Sequence, residues 1–179
     1  MKKNYLKKLC LSAVMAALYF GLDFFSSYLS KLTGDTFKIS FSALPVMIIA
    51  ILCGPVWATG TGFVGAFLGQ LIGPYGLTAT TVLWCMPAVV RAVSFGLLFI
   101  LFKRSLKPTA LSVSAVISSV LVTAANSFVM YLDALIYKYP IEIFKIALIY
   151  RIIIGILTAI VFAIILPPII EKLNKILRK

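Results

Sequence analysis

The chain has 179 residues, of which 62% are hydrophobic and 12% charged, with a mean hydropathy of +1.09. So large an apolar share excludes a water-soluble domain, which could not hide that much apolar surface. Lysine and arginine total 17 against 5 aspartate plus glutamate, but they gather at the termini and in short breaks between apolar runs, a membrane-surface pattern and not a nucleic-acid one.

A spanning helix needs about 20 mostly apolar residues, so the chain divides where charge, glycine and proline interrupt. The opening MKKNYLKKLCLSAVMAALYFGL has the basic-then-apolar order of a secretory signal. Its apolar run continues to Leu29 without a convincing cleavage site, so helix 1 is expected to span, over about residues 9–29. From Ile39 to Val90 no residue is charged, a stretch too long for one crossing. Gly54-Pro55 and Gly73-Pro74 break it into a short helix 2 (about 42–53), helix 3 (about 55–72) and helix 4 (about 79–102). Helix 5 follows over about 111–132 and helix 6 over about 143–168, where Pro167-Pro168 is expected to stop it.

These elements predict an all-α membrane protein, a single transmembrane domain over residues 1–179 with six crossings and both termini on one side. Lys2, Lys3, Lys7 and Lys8, then Lys103, Arg104 and Lys107, then Lys172, Lys175, Arg178 and Lys179 all fall on that side. The other side holds only Lys31, Lys38, Lys138 and Lys145. The positive-inside rule therefore makes both termini cytoplasmic and turns loops 1, 3 and 5 outward.

Arg91 lies near the middle of helix 4, and Arg151 lies two to three turns inside the outer end of helix 6. An arginine facing lipid at that depth costs several kcal/mol, so each must face a partner, the bundle interior or a watery cavity. Two readings follow: a structural pair with Asp23 or Asp133, or a site for an anionic solute. Trp84 stands about two turns before Arg91, on a similar helical face. Asn126 and Tyr131 on helix 5, Gln70 and Tyr75 beside the helix 3–4 break, and Lys38 in loop 1 complete a polar set in the outer half. Trp and Tyr also suit an interfacial belt, whereas an amide such as Asn126 needs a partner in apolar surroundings.

Small residues recur every four positions at Ala13, Ala17 and Gly21, at Gly65, Gly69 and Gly73, and at Gly155, Ala159 and Ala163. Such stripes let helices approach closely; those on helices 3 and 6 are expected to pack internally, while that on helix 1 is free to receive a partner subunit. Cys10, Cys53 and Cys85 lack CxxC spacing, and the chain has no histidine. Neither a metal site, a cofactor nor a catalytic base is indicated, and no Walker A loop is present to hydrolyse ATP. The sequence predicts a non-enzymatic protein whose energy, if uptake is uphill, comes from another chain.

The block FSALPVMIIAILCGPVWATGTGFVGAFLGQLIGPYG (41–76), the Ala13/Ala17 stripe and the segment GLTATTVLWCMPAVVRAVSFGLL (76–98) resemble the substrate-binding S component of energy-coupling factor (ECF) vitamin transporters. Leu44-Pro45 and Gly54-Pro55 fill the places of that family's helix 2 and 3 motifs, and Arg91 follows a proline-containing stretch as in its helix 4. The resemblance implies a bacterial plasma-membrane protein in which loop 1 lids an outward vitamin pocket built by helices 4 to 6 and loops 1, 3 and 5. It also implies that helix 1 docks, through Ala13, Ala17 and Gly21, on a transmembrane coupling protein driven by two ATPase subunits. Gln70 stands where many members carry an acid. The folate subfamily is the nearest, although LTATTVLWCMP departs from its helix 4 signature, and pantothenate or another anionic vitamin is the other candidate. In this reading Arg91 and Arg151 neutralise a carboxylate, Trp84 stacks on a ring, and Asn126 and Tyr131 read a polar edge. A non-transporting scaffold or cell-envelope assembly protein is the alternative, with both arginines paired internally and no ligand pocket.

Overall fold

The computed structural model describes residues 2–32, 41–73 and 76–177. Among these residues the chain forms six α-helices and no strand: α1 Lys2–Leu32, α2 Ala43–Leu52, α3 Pro55–Ile72, α4 Thr81–Leu101, α5 Pro108–Tyr137 and α6 Ile141–Leu177. Proline opens α3 and α5, where its missing N–H has no helical acceptor to lose. The turn from α2 to α3 passes through Gly54 at φ 96°, a conformation that a side chain strongly disfavours.

By length and composition, four helices can cross a membrane: residues 4–28, 81–101, 108–137 and 144–176. The other two fall short for different reasons. α2 has ten residues and rises about 15 Å, half a hydrocarbon core. α3 has 18 residues, but Gly60, Gly62, Gly65, Gly69 and Gln70 dilute its apolar content. α2 lies inside the bundle against α1, α3, α4 and α6, while α1, α3, α4, α5 and α6 pack in that order. Its Val46, Met47 and Ile49 are wholly buried, so α2 is shielded from lipid by protein on several sides and a short helix suffices there.

The apolar core fills one half of the bundle. Met47 and Ile49 meet Phe95 and Phe99 of α4, Leu111 of α5 and Phe162, Leu166 and Ile170 of α6. This half lies toward the termini, and the opposite half, toward the C-terminal end of α1, holds a cavity. Many outward apolar side chains, among them Val14, Leu18, Phe24, Leu101 and Ile164, are exposed, as a surface solvated by hydrocarbon requires.

Pro167-Pro168 does not stop helix 6, contrary to the sequence expectation: α6 continues to Leu177. Pro167 removes the donor that the Ala163 carbonyl would receive. The Ser112 hydroxyl of α5 donates to that carbonyl at 2.7 Å instead, so the helix passes the break without an orphaned acceptor at this position. Two small-residue stripes close helix pairs inside the chain. A β-carbon on Gly65 would stand 2.7 Å from the Tyr19 ring of α1, and one on Gly155 would collide with Thr123 of α5.

Candidate functional site

The cavity encloses about 680 Å³, within the range of small-molecule sites. All six helices contribute to its wall. Helical spacing explains how. On α5, Ser119 and Asn126 stand seven residues apart, two turns on one face, and both line the cavity. On α4 the same interval places Trp84 and Arg91, with Pro87 and Ala88 between them. On α6, Ala147, Arg151, Ile154, Gly155 and Thr158 form one stripe, and on α1 Tyr19 and Asp23 form another.

Arg91 is buried at 8% exposure. Its Nη1 donates to the Ser119 hydroxyl at 3.1 Å, and its guanidinium lies 5.4 Å from the Phe162 ring centroid. Below it, Ser118 and Ser94 share a hydrogen bond at 2.9 Å, and Ser118 donates weakly to the Arg91 carbonyl at 3.4 Å. These hydroxyls fasten α4 to α5 and fix the arginine's backbone. Arg151 reaches the cavity from α6, donates from Nη1 to the Asn126 backbone carbonyl at 3.2 Å, and stacks 5.1 Å above the Trp84 ring. The Trp84 indole N–H in turn donates to Asp133 Oδ1 at 3.3 Å. Asp133 is buried at 9% exposure and lies a further two turns along α5 from Asn126.

Among the described residues, neither guanidinium has a carboxylate oxygen within 4 Å. The scaffold alternative requires two internally neutralised arginines in a solid bundle. The chain instead holds two guanidinium groups on the wall of one hollow, with a neutral hydroxyl and a carbonyl as their hydrogen-bond acceptors.

Of the site residues drawn from the sequence, Arg91, Arg151, Trp84, Asn126 and Gln70 all line this cavity. Tyr131 does not. It is 49% exposed and meets Phe144 edge-on, with ring centroids 6.0 Å apart. Five residues from Asn126 is about 500° of helical rotation, which turns Tyr131 well away from the face that Asn126 shares. One face of the Trp84 ring is covered by Arg151. Asn126 holds Arg151 with its backbone carbonyl and not its amide. Lys38 and Tyr75 lie outside the described residues. Sequence reading missed Ser119, Thr123 and Thr158, along with the wall supplied by Tyr19. The seven-residue interval from Asn126 back to Ser119 was the available signal, but isolated hydroxyls in spanning helices commonly bond the preceding turn, as Thr123 does to the Ser119 carbonyl.

The helix 1 stripe of Ala13, Ala17 and Gly21 is exposed along its length. A β-carbon on Gly21 would meet nothing within 4 Å among the described residues.

A family model described as "ECF transporter, substrate-specific component" matches residues 7–170. No curated protein matches the chain. A solved structure described as "Structure and mechanism of the S component of a bacterial ECF transporter" is similar at 21% identity over 98% of this chain and 99% of that one, with a TM-score of 0.65, a likeness of fold.

Proposed function

The chain belongs to the substrate-specific component family of ECF transporters, and from that premise we propose that its cavity captures a water-soluble anionic vitamin from outside a bacterial cell. Members of this family are solute-binding subunits of a transporter and not enzymes. The observation that carries the reading is the pair Arg91 and Arg151, two guanidinium groups on one cavity wall with no carboxylate within 4 Å among the described residues. Guanidinium forks match a carboxylate in charge and shape, and few solutes reward their burial as an anion does. The flat body of the solute lies against Trp84, and Asn126 and Gln70 offer amides to its polar edge. Folate and pantothenate are the two vitamins the sequence brings forward.

The cavity lies toward the end of the bundle where α1, α3 and α5 finish and α4 and α6 begin. The basic α4–α5 turn and both basic termini lie at the other end. The positive-inside rule supports an outward cavity with cytoplasmic termini. The exposed small stripe on α1 supports docking on the transmembrane coupling protein, with two ATPase subunits supplying the energy that this chain has no motif to extract.

Equilibrium binding to the purified chain tests the reading. Arg91→Ala and Arg151→Ala are each expected to weaken binding of the captured vitamin, and unchanged affinity in both variants for every anionic vitamin tested contradicts the assigned roles.

A further inference from the structure

The two guanidinium groups are not equivalent. Arg151 stacks on Trp84, whose N–H is bonded to the buried carboxylate of Asp133. The same carboxylate acts electrostatically on Arg151. One negative charge is thus built into the Arg151 end of the cavity, held by the indole that Arg151 covers. Arg91 has no such companion among its own contacts: they are the neutral Ser119 hydroxyl and the Phe162 ring.

Resting on the anion-capture reading above, we infer that Asp133 sets the charge of the captured molecule, restricting the cavity to solutes with a single anionic group, seated on Arg91. Arg151, whose charge is partly offset by Asp133 through Trp84, serves with Trp84 as a shelf for the uncharged flat or polar body. A second carboxylate at the Arg151 end meets a guanidinium whose attraction is shared with Asp133, and it must give up hydration inside a low-dielectric site. Asp23 on the α1 wall contributes no positive charge to offset that loss. The site therefore discriminates against dicarboxylates by leaving their second charge poorly compensated, a repulsive element beside the attractive one at Arg91.

Asp133→Asn separates charge from positioning, because the amide oxygen still accepts the Trp84 N–H while the negative charge is gone. The test is tryptophan-fluorescence and calorimetric titration of the purified full chain in detergent. Ligands are pantothenate, nicotinate, biotin and pteroate, each with one carboxylate, and folate with two. The expected wild-type result is a monocarboxylate as the tightest ligand, at least tenfold ahead of folate. In Asp133→Asn, folate binding is expected to strengthen at least fivefold while the best monocarboxylate changes less than twofold. Folate as the tightest wild-type ligand, or folate binding unimproved in Asp133→Asn, overturns the inference. Arg91→Gln distinguishes this failure from a deeper one. If Arg91→Gln abolishes binding while Asp133→Asn shifts no preference, anion capture stands and the role of Asp133 falls. If no compound binds wild type above the Arg91→Gln level, anion capture falls as well.

Discussion

A guanidinium at the middle of a spanning helix would cost several kcal/mol against lipid, and the contacts of Arg91 within the chain are a serine hydroxyl and an aromatic face. Its planar fork is matched to a carboxylate in a way that an ammonium is not. Arg91→Ala is expected to weaken ligand binding at least a hundredfold, about 3 kcal/mol, and Arg91→Lys to recover only part of that loss; calorimetric titration measures both. The same physics made the residue legible in the sequence, since a charge within an apolar run must be explained. Arg151 was legible for the same reason, Trp84 by its two-turn spacing from Arg91, and Asn126 because an amide in apolar surroundings needs a partner. The grouping of Trp84, Arg151 and Asp133 was not, because it depends on how α4, α5 and α6 rotate against one another. Tyr131 misled because a polar tip near a helix end suits an interfacial belt equally well, and helical phase puts it outside.

Among the helices, α6 departs most from what its sequence suggested. Two consecutive prolines ordinarily end a helix, yet a hydroxyl on its neighbour supplies the bond that Pro167 removes. Compensation from a different helix cannot be read from α6 alone. Ser112→Ala is therefore expected to lower stability by about 1–2 kcal/mol. The loss should shrink in a Pro167→Ala background, where Ala163 regains a helical donor; a double-mutant cycle of thermal unfolding in detergent measures the coupling. A second element-level expectation concerns α1 against α3. Gly65→Ala drives a methyl group into the Tyr19 ring, costing about 1–3 kcal/mol of stability and displacing a side chain of the cavity wall, so both the melting temperature and ligand affinity should fall. The breaks at Gly54 and Gly73 were readable because glycine and proline act locally. The depth of α2 inside the bundle was not, because an all-apolar run carries no preferred face.

For the molecule as a whole, the apolar core and the cavity divide the bundle into a solid half near the termini and a hollow half at the opposite end. The small stripe of α1 lies on its exposed side, while Ala16 and Ser12 turn inward. The proposed capture and docking surfaces are thus spatially separate. Ala13→Leu with Ala17→Leu should leave vitamin affinity of the isolated chain within twofold while reducing co-purification with the coupling protein at least fivefold; a pull-down beside a binding titration checks both. Composition alone announced a membrane bundle, and the order of motifs announced the family. The hollow itself became visible only when the helices were assembled, because no single helix encloses it. The most direct measurement is an experimental structure of the chain bound to the vitamin it is proposed to capture. The expected result is an anionic oxygen of the vitamin within about 3.2 Å of the Arg91 guanidinium, inside the six-helix cavity. A vitamin bound elsewhere, with Arg91 still held only by Ser119, contradicts it.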